Sequence, residues 1–284
     1  MNATTRPLLE VRDVELTIGG LRILRNVAFD VRAGEFFTVI GPNGAGKTSL
    51  LNVVSRIYRP TAGDVVFDGR SLLAIPRSGL AGLGIARTFQ NLALFEQMDV
   101  MDNVVLGRHR LMRAGVLSGA AWWGRARREE TAARRACEPL IELMGLGDYL
   151  RRPIRDLPYG IKKRIELARA LAVEPRLLML DEPAAGMNEE ETDELAEWIL
   201  VAKRELDLTV VMIEHDMGLV TRLGDRALVL DFGTVITIES PRAAIADPRV
   251  IAAYLGGAEA DIDDPTTTAT IALSGPMSRK GARG

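Results

Sequence analysis

The sequence contains very few of the residues that build disulfide frameworks and metal clusters. It has a single cysteine, Cys137, and only two histidines. One cysteine excludes an intrachain disulfide framework and a cysteine-rich metal site, and two histidines cannot form a three-histidine zinc centre. We therefore expect the interior to be held together by side-chain packing.

Long apolar runs and a strong charge of one sign are also missing. No segment approaches the roughly 18 apolar residues that a spanning helix needs, and residues 1–10 lack the basic start and apolar stretch of a secretory signal. The net charge of −2 provides no general attraction to nucleic acid. We expect a cytoplasmic chain that does not bind nucleic acid and reaches a membrane only through partners.

The pattern of apolar residues is typical of an α/β protein. Alternating segments in the first thirty residues predict an antiparallel β subdomain at the N-terminus. Continuous apolar runs at 36–40, 177–180 and 209–213 predict strands of a central sheet that are buried on both faces, with helices between them. A hairpin that turns at 231–233 would make this sheet a mixed one.

Two segments differ from the rest in composition. Residues from about 91 to 175 are rich in arginine and mostly helical in pattern, which predicts an inserted helical subdomain. Its arginines fit either solvated helix faces or a site near anionic lipid headgroups or an acidic partner loop. Residues 258–284 have no sustained periodicity and predict a disordered tail, which leaves 1–257 as a single domain.

A glycine-rich motif, GPNGAGKT, follows the first buried run. It matches the G-x-x-x-x-G-K-[S/T] phosphate loop and precedes a helix expected at 49–56, whose N-terminus favours anions. Lys47 would reach the terminal phosphates of a nucleotide, and the Thr48 hydroxyl is a ligand for Mg²⁺. The predicted nucleotide-binding residues of this region are Gly41, Pro42, Asn43, Gly44, Ala45, Gly46, Lys47, Thr48 and Ser49.

Acidic residues and a histidine end the other two buried runs. Asp181 and Glu182 follow 177–180, and His215 comes soon after 209–213. Because ligands bind at the carboxyl ends of parallel strands, we expect Asp181 to serve Mg²⁺ and Glu182 to activate the attacking water. A third strand ending at the same edge would bring His215 to the γ-phosphate.

Together these segments resemble the ATP-binding subunit of an ATP-binding cassette (ABC) transporter, from Leu8 to about Gly257. The segment LPYGIKKRIELARAL resembles the cassette signature, although Pro158 replaces its serine and Ile161 its glutamine. The resemblance implies ATP hydrolysis with Mg²⁺, and a role for Gln90 of GIARTFQN in holding the metal or the water. It also implies that the signature residues Leu157, Pro158, Tyr159 and Gly160 contact the ATP of a second cassette.

Closer similarity to the branched-chain amino-acid transport subfamily comes from four segments, GIARTFQN, LPYGIKKRIELARAL, LDEPAAGMN and DPRVIAAYLGG. It implies an importer with a second cassette, of the same or a different chain, two transmembrane permease subunits and an external substrate-binding protein. The chain would then lie on the cytoplasmic face of the membrane. Ile18 stands where many cassettes stack an aromatic residue on adenine, which predicts weak base selectivity.

The segment from Pro183 to Asn188 matches the family's dimer-contact loop, and Asn188 with Glu191 predicts a capping box at the start of a helix. Three other functions stay open. They are a cassette ATPase for another cargo such as urea, short amides or lipid, a soluble cassette that acts on nucleic acid, and a small-molecule kinase.

Overall fold

The N-terminal region forms a four-stranded antiparallel sheet in the computed structural model, which describes residues 6–88, 94–109 and 125–260. The strand order is β2-β1-β4-β5, and the pairs are antiparallel. This sheet confirms the antiparallel β subdomain predicted from the sequence. Its strands are β1 (Leu9–Ile18), β2 (Leu21–Val31), β4 (Ala62–Phe67) and β5 (Arg70–Ser71).

The second sheet has six strands in the order β10-β9-β3-β8-β7-β6. The strands from β9 to β6 run parallel, and β10 pairs antiparallel with β9, so the sheet is mixed as predicted. Every residue of β3, β7 and β8 is buried, as their apolar sequences require. The strands are β3 (Phe36–Ile40), β6 (Ile85–Arg87), β7 (Leu177–Asp181), β8 (Thr209–Ile213), β9 (Arg226–Asp231) and β10 (Thr234–Glu239).

Helices connect the strands of the central sheet. Among the described residues, three helices lie between β6 and β7, within the segment predicted to be a helical subdomain, and α2 and α3 pack against α4 there. None of the helices in the described ranges is long and apolar enough to span a bilayer. The helices are α1 (Lys47–Val54), α2 (Val100–Arg108), α3 (Arg125–Leu143), α4 (Tyr159–Leu171), α5 (Glu189–Glu205), α6 (Met217–Leu223), α7 (Pro241–Ala246) and α8 (Pro248–Ala260).

The two faces of β7 belong to different hydrophobic clusters. Leu178 and Leu180 pack in the cluster that includes residues of α4 and α5, whereas Leu177 and Met179 pack in the cluster that includes residues of α1. Since side chains alternate along a strand, Asp181 shares the face of Leu177 and Met179. The strand therefore directs Asp181 towards the helix that follows the phosphate loop.

The boundaries differ from the predictions at three places. Helix α1 covers Lys47–Val54 instead of 49–56, because Gly46 is its left-handed N-cap and Arg56, at φ 58°, leaves the helical region. The short strands β4, β5 and β6 were not predicted. Helix α8 continues through 258–260, and the rest of the predicted tail lies outside the described residues.

Candidate functional site

The phosphate loop (residues 41–48) connects β3 to α1 and has backbone geometry that only glycine adopts easily. Gly41, Gly44 and Gly46 have φ values of 149°, 76° and 100°. A Cβ atom on Gly41 would lie 2.0 Å from the carbonyl oxygen of Leu230. The Ala45 carbonyl accepts a hydrogen bond of 2.9 Å from the Gly233 N–H, so the β9–β10 turn holds the loop in place.

Lys47 lies inside the phosphate loop. Its Nζ donates hydrogen bonds to the carbonyl oxygens of Gly41 (2.6 Å) and Pro42 (3.0 Å), and the side chain is buried. Burial lowers the pKa of the Lys47 ammonium, while the charges of Glu182 and Asp181 oppose that shift. The lysine charge is therefore close to both carboxylates, and the oxygens of a phosphate would replace the two carbonyls as its acceptors.

Several other residues of the loop and of the start of α1 are accessible to a ligand, whereas Gly41 and Ala45 are buried. Asn43, Gly44 and Thr48 are exposed, and Pro42 and Ser49 are half-buried. Thr48 and Ser49 lie in the first turn of α1, where backbone N–H groups have no helical acceptor. This arrangement gives a phosphate group several donors from one direction.

Asp181 ends β7 and is buried in an ion pair with Arg87. The Arg87 Nη2 is 2.6 Å from Asp181 Oδ2, and their side chains are 7% and 3% exposed. The other oxygen, Asp181 Oδ1, is buried and has no hydrogen-bond partner among the described residues. A buried acceptor without a partner, beside a phosphate loop with an exposed Thr48 hydroxyl, fits a hydrated Mg²⁺ held between protein and phosphate.

Glu182 follows Asp181 in a left-handed conformation, with φ 48°. Its N–H donates to the Ile213 carbonyl (3.0 Å) at the end of β8, and the residue is half-buried. A non-glycine residue with this φ is uncommon and is frequent at functional sites. The turn redirects the chain at the sheet edge where the phosphate loop begins.

Glu214 and His215 follow β8 at the same edge. The buried Glu214 carboxylate accepts hydrogen bonds from the N–H groups of Ala184 (3.1 Å), His215 (3.0 Å) and Asp216 (3.4 Å). The His215 side chain is 62% exposed, with Nδ1 3.7 Å from Glu214 Oε2. Glu214 thus fixes the backbone from which the exposed imidazole projects.

The signature residues begin α4. Leu157 is buried, Pro158 is the N-cap, and Tyr159 and Pro158 are exposed. The Tyr159 hydroxyl donates to the Ala185 carbonyl of the same chain (3.0 Å), so the signature residues contact the loop of Pro183–Asn188. That loop ends in the predicted capping box of Asn188 and Glu191, which is confirmed.

The structure brings three groups of predicted site residues to one edge of the central sheet. These are the phosphate loop, Asp181 with Glu182, and His215, which follow the neighbouring strands β3, β7 and β8. Gln90 lies outside the described residues. Sequence reasoning missed Arg87 and Glu214. Arg87 ends the short strand β6 within the segment GIARTFQN, and Glu214 directly follows the buried strand β8.

Comparisons with known proteins place this chain in a family. The model of the ABC transporter family matches residues 24–185. The chain belongs to the ABC transporter family. Its sequence is 38% identical over 254 residues to the high-affinity branched-chain amino acid transport ATP-binding protein LivG of Salmonella typhimurium. The aligned region covers 89% of this chain and 100% of LivG. It is 37% identical over 254 residues to BraF of Pseudomonas aeruginosa, a protein of the same description, with the same coverage.

A solved ABC cassette has the same fold. The ADP conformation of MJ1267, an ATP-binding cassette of an ABC transporter, superposes with a TM-score of 0.77 at 25% identity and covers 89% of this chain and 100% of that one. The fold class predicted from the sequence is therefore confirmed both by the sheet topology and by a solved relative.

Proposed function

We propose that this chain binds and hydrolyses ATP to energise a membrane importer for branched-chain amino acids. The observation that carries the proposal is the phosphate loop beside the Asp181–Glu182 strand end, in a chain that is similar to LivG over the whole length of LivG. The relatives LivG and BraF are named as ATP-binding proteins of such transporters.

In this proposal the phosphate loop binds the triphosphate. Backbone N–H groups of residues 41–48 and the first turn of α1 surround the phosphates, and Lys47 exchanges its carbonyl acceptors for phosphate oxygens. Thr48, Asp181 and Gln90 would hold Mg²⁺, which would neutralise negative charge on the bound triphosphate. Thr48 lies on α1 and Asp181 ends β7, and these two elements are in contact.

Glu182 orients the attacking water and accepts its proton. The water oxygen forms a bond to the γ-phosphorus while the bond from that phosphorus to the bridging oxygen of ADP breaks, giving ADP and inorganic phosphate. His215 contacts the γ-phosphate from the end of β8, and its exposure in the isolated chain leaves it accessible for that contact. Gln90 is proposed to help place the water.

The signature residues act on a second cassette. The N-terminus of α4 carries a partial positive charge and exposed residues, which suits the γ-phosphate of an ATP held by a partner in a head-to-tail pair. Because the Tyr159 hydroxyl is bonded to Ala185 within its own chain, backbone N–H groups near Gly160 are the proposed donors. The partner is a second copy or a related chain.

The proposed assembly contains two cassettes, two transmembrane permease subunits and, indirectly, an external substrate-binding protein. The chain then works at the cytoplasmic face of the membrane. Residues 1–257 form its single ATPase domain, with the helical insertion at about 91–175, and helix α8 continues past residue 257 to Ala260.

The experiment is reconstitution of the chain with candidate permease pairs in lipid vesicles. ATP turnover should rise when a binding protein loaded with leucine, isoleucine or valine is added, and should stay at the basal rate with the empty binding protein. The Glu182→Gln variant in the same vesicles is the control for contaminating ATPases. If every branched-chain permease fails and a urea or amide permease responds, the cargo is a different one and the ATPase assignment remains.

A further inference from the structure

We infer that Arg87 is a positioning residue that fixes the metal-binding carboxylate of Asp181 relative to the helix carrying Thr48. This inference rests on the proposed function, in which Asp181 and Thr48 share a Mg²⁺. Arg87 is part of the segment GIARTFQN, but neither the motifs nor the comparisons assign a role to it.

The contacts of Arg87 connect three elements. Arg87 lies on β6, and its Nη2 donates to Asp181 Oδ2 of β7 at 2.6 Å. Its Nη1 donates to Asn52 Oδ1 (2.8 Å) and Ser55 Oγ (2.7 Å), both on or next to α1. The guanidinium therefore bridges the strand that presents Asp181 and the helix that begins at the phosphate loop.

The bridge has a fixed geometry. The guanidinium is planar, so contacts through Nη1 and Nη2 determine its orientation. The Ser55 hydroxyl donates its own proton to the Leu51 carbonyl (2.6 Å), which leaves its oxygen to accept from Arg87. Both members of the ion pair are buried, at 7% and 3% exposure, so water does not compete for these groups.

The consequence for the metal site lies in how the two oxygens of Asp181 are used. Arg87 occupies Oδ2, while Oδ1 is buried and without a hydrogen-bond partner in the described part of the chain. One oxygen is thus held in place and the other is presented to the metal and its water shell. Partners that orient a metal ligand in this way typically contribute about 10- to 100-fold to metal affinity.

The test is equilibrium binding of β,γ-methylene ATP, an analogue that this site cannot hydrolyse between the β- and γ-phosphates, to the full-length chain. Each variant is measured once with Mg²⁺ and once with EDTA. The ratio of the two dissociation constants, EDTA over Mg²⁺, reports the contribution of the metal without any activity measurement. The variants are Arg87→Met, Arg87→Lys and the double variant Asn52→Ala with Ser55→Ala.

We expect Arg87→Met and Arg87→Lys to lower this ratio about tenfold while the dissociation constant in EDTA stays within about twofold of wild type. Lysine keeps the charge but has no planar fork, so it should not restore the ratio. The double variant keeps the Arg87–Asp181 contact and removes the hydrogen bonds from Arg87 to Asn52 and Ser55. It should lower the ratio by a smaller factor. Arg176→Met, which removes an exposed ion pair to Asp68, is the matched control and should leave the ratio unchanged.

Five outcomes would overturn the inference. One is a wild-type ratio in folded Arg87→Met. Another is a ratio in Arg87→Lys equal to that of the wild-type protein, which would show that Arg87 contributes only its positive charge. A third is equal weakening with Mg²⁺ and with EDTA, which would indicate a general structural role. If the Arg87 variants do not fold, the double variant decides, and an unchanged ratio there overturns the inference. The last outcome concerns the wild-type protein itself. If its two dissociation constants are equal, Mg²⁺ does not contribute to binding, and both its place in the proposed function and the inference are removed.

Discussion

At the scale of single residues, the site depends on positions where one side chain fits and others do not. Gly41 illustrates this dependence, because a Cβ there would meet the backbone oxygen of Leu230 at 2.0 Å. Gly44 also has positive φ, yet a Cβ there would meet nothing within 4 Å. Gly44 therefore reports the cost of its backbone conformation alone, whereas Gly41 combines a different glycine-only conformation with a steric clash.

We predict that Gly44→Ala lowers the free energy of unfolding by about 1 to 2 kcal/mol, the cost of a left-handed backbone. Gly41→Ala should lower it by roughly a further 1 to 3 kcal/mol, because the loop must move away from the Leu230 carbonyl of β9. Urea denaturation of both variants measures the difference. Equal losses for the two substitutions would contradict the packing of the phosphate loop against Leu230.

Residue patterns predicted the motifs but not all of their partners. The phosphate loop, Asp181 and Glu182 could be recognised because glycine, lysine and acids follow apolar runs. Arg87 could not, because its partner Asp181 lies 94 residues away and no local pattern links the two. Whether Gln90, Glu182 and His215 act as expected remains a prediction.

At the scale of elements, the loops after β7 and β8 are joined by one buried carboxylate. Glu214 accepts from Ala184 in the first loop and from His215 and Asp216 in the second. The first loop carries the segment of Pro183–Asn188 and the second carries His215. The position of each loop is therefore coupled to the other through Glu214.

Glu214→Gln should lower the free energy of unfolding by about 1.5 to 3 kcal/mol, since an amide keeps the shape but replaces charge-assisted hydrogen bonds and presents N–H groups to backbone donors. Glu142→Gln is the matched control, because Glu142 is exposed and its change should cost less than about 0.5 kcal/mol. Denaturant midpoints of the two variants test this. Equal midpoints would show that the carboxylate does not hold the loops together.

Element boundaries show where sequence patterns are informative. The strands β3 and β8 coincide with the predicted runs because uninterrupted apolar residues need burial on both faces. Strand β6 has only three residues, too few for a periodic signal. The early start of α1 follows from the left-handed Gly46, a conformation that the phosphate-loop motif implies only indirectly.

At the scale of the whole molecule, parallel strand order brings distant segments to one edge. The strands β3, β8 and β7 are neighbours, so residues from three separate parts of the sequence converge where these strands end. This convergence was predictable because parallel strands share one ligand-binding edge. The order of strands and the extent of contact between α2, α3 and α4 were not, since they arise from packing over long sequence separations.

The single cysteine provides a probe of the whole fold. Cys137 is fully buried in α3, and burial raises the pKa of its thiol. A thiol reagent should label the native chain at least about 1000-fold more slowly than the urea-unfolded chain, because labelling requires opening of the core. Fast labelling of the native chain would contradict the packing of α3.

The same thiol gives a dependence of stability on pH. Between the ordinary value near 9.0 and the raised native pKa, the folded chain binds more protons than the unfolded chain. The contribution of Cys137 to the free energy of unfolding is therefore intact below pH 9 and falls as the pH rises above it. Comparison with Cys137→Ala across that range isolates the effect, and a parallel pH dependence of the two proteins would contradict it.

The most direct test of the account is ATP turnover by the Glu182→Gln variant of the chain assembled with its permease. The account predicts that turnover falls on the order of 100- to 10,000-fold, because the amide cannot accept the proton of the attacking water. ATP affinity should stay within about twofold of wild type, because the phosphate loop is untouched. Turnover near the wild-type rate, with the variant protein shown to be pure and folded, would remove Glu182 from the chemistry and contradict the account.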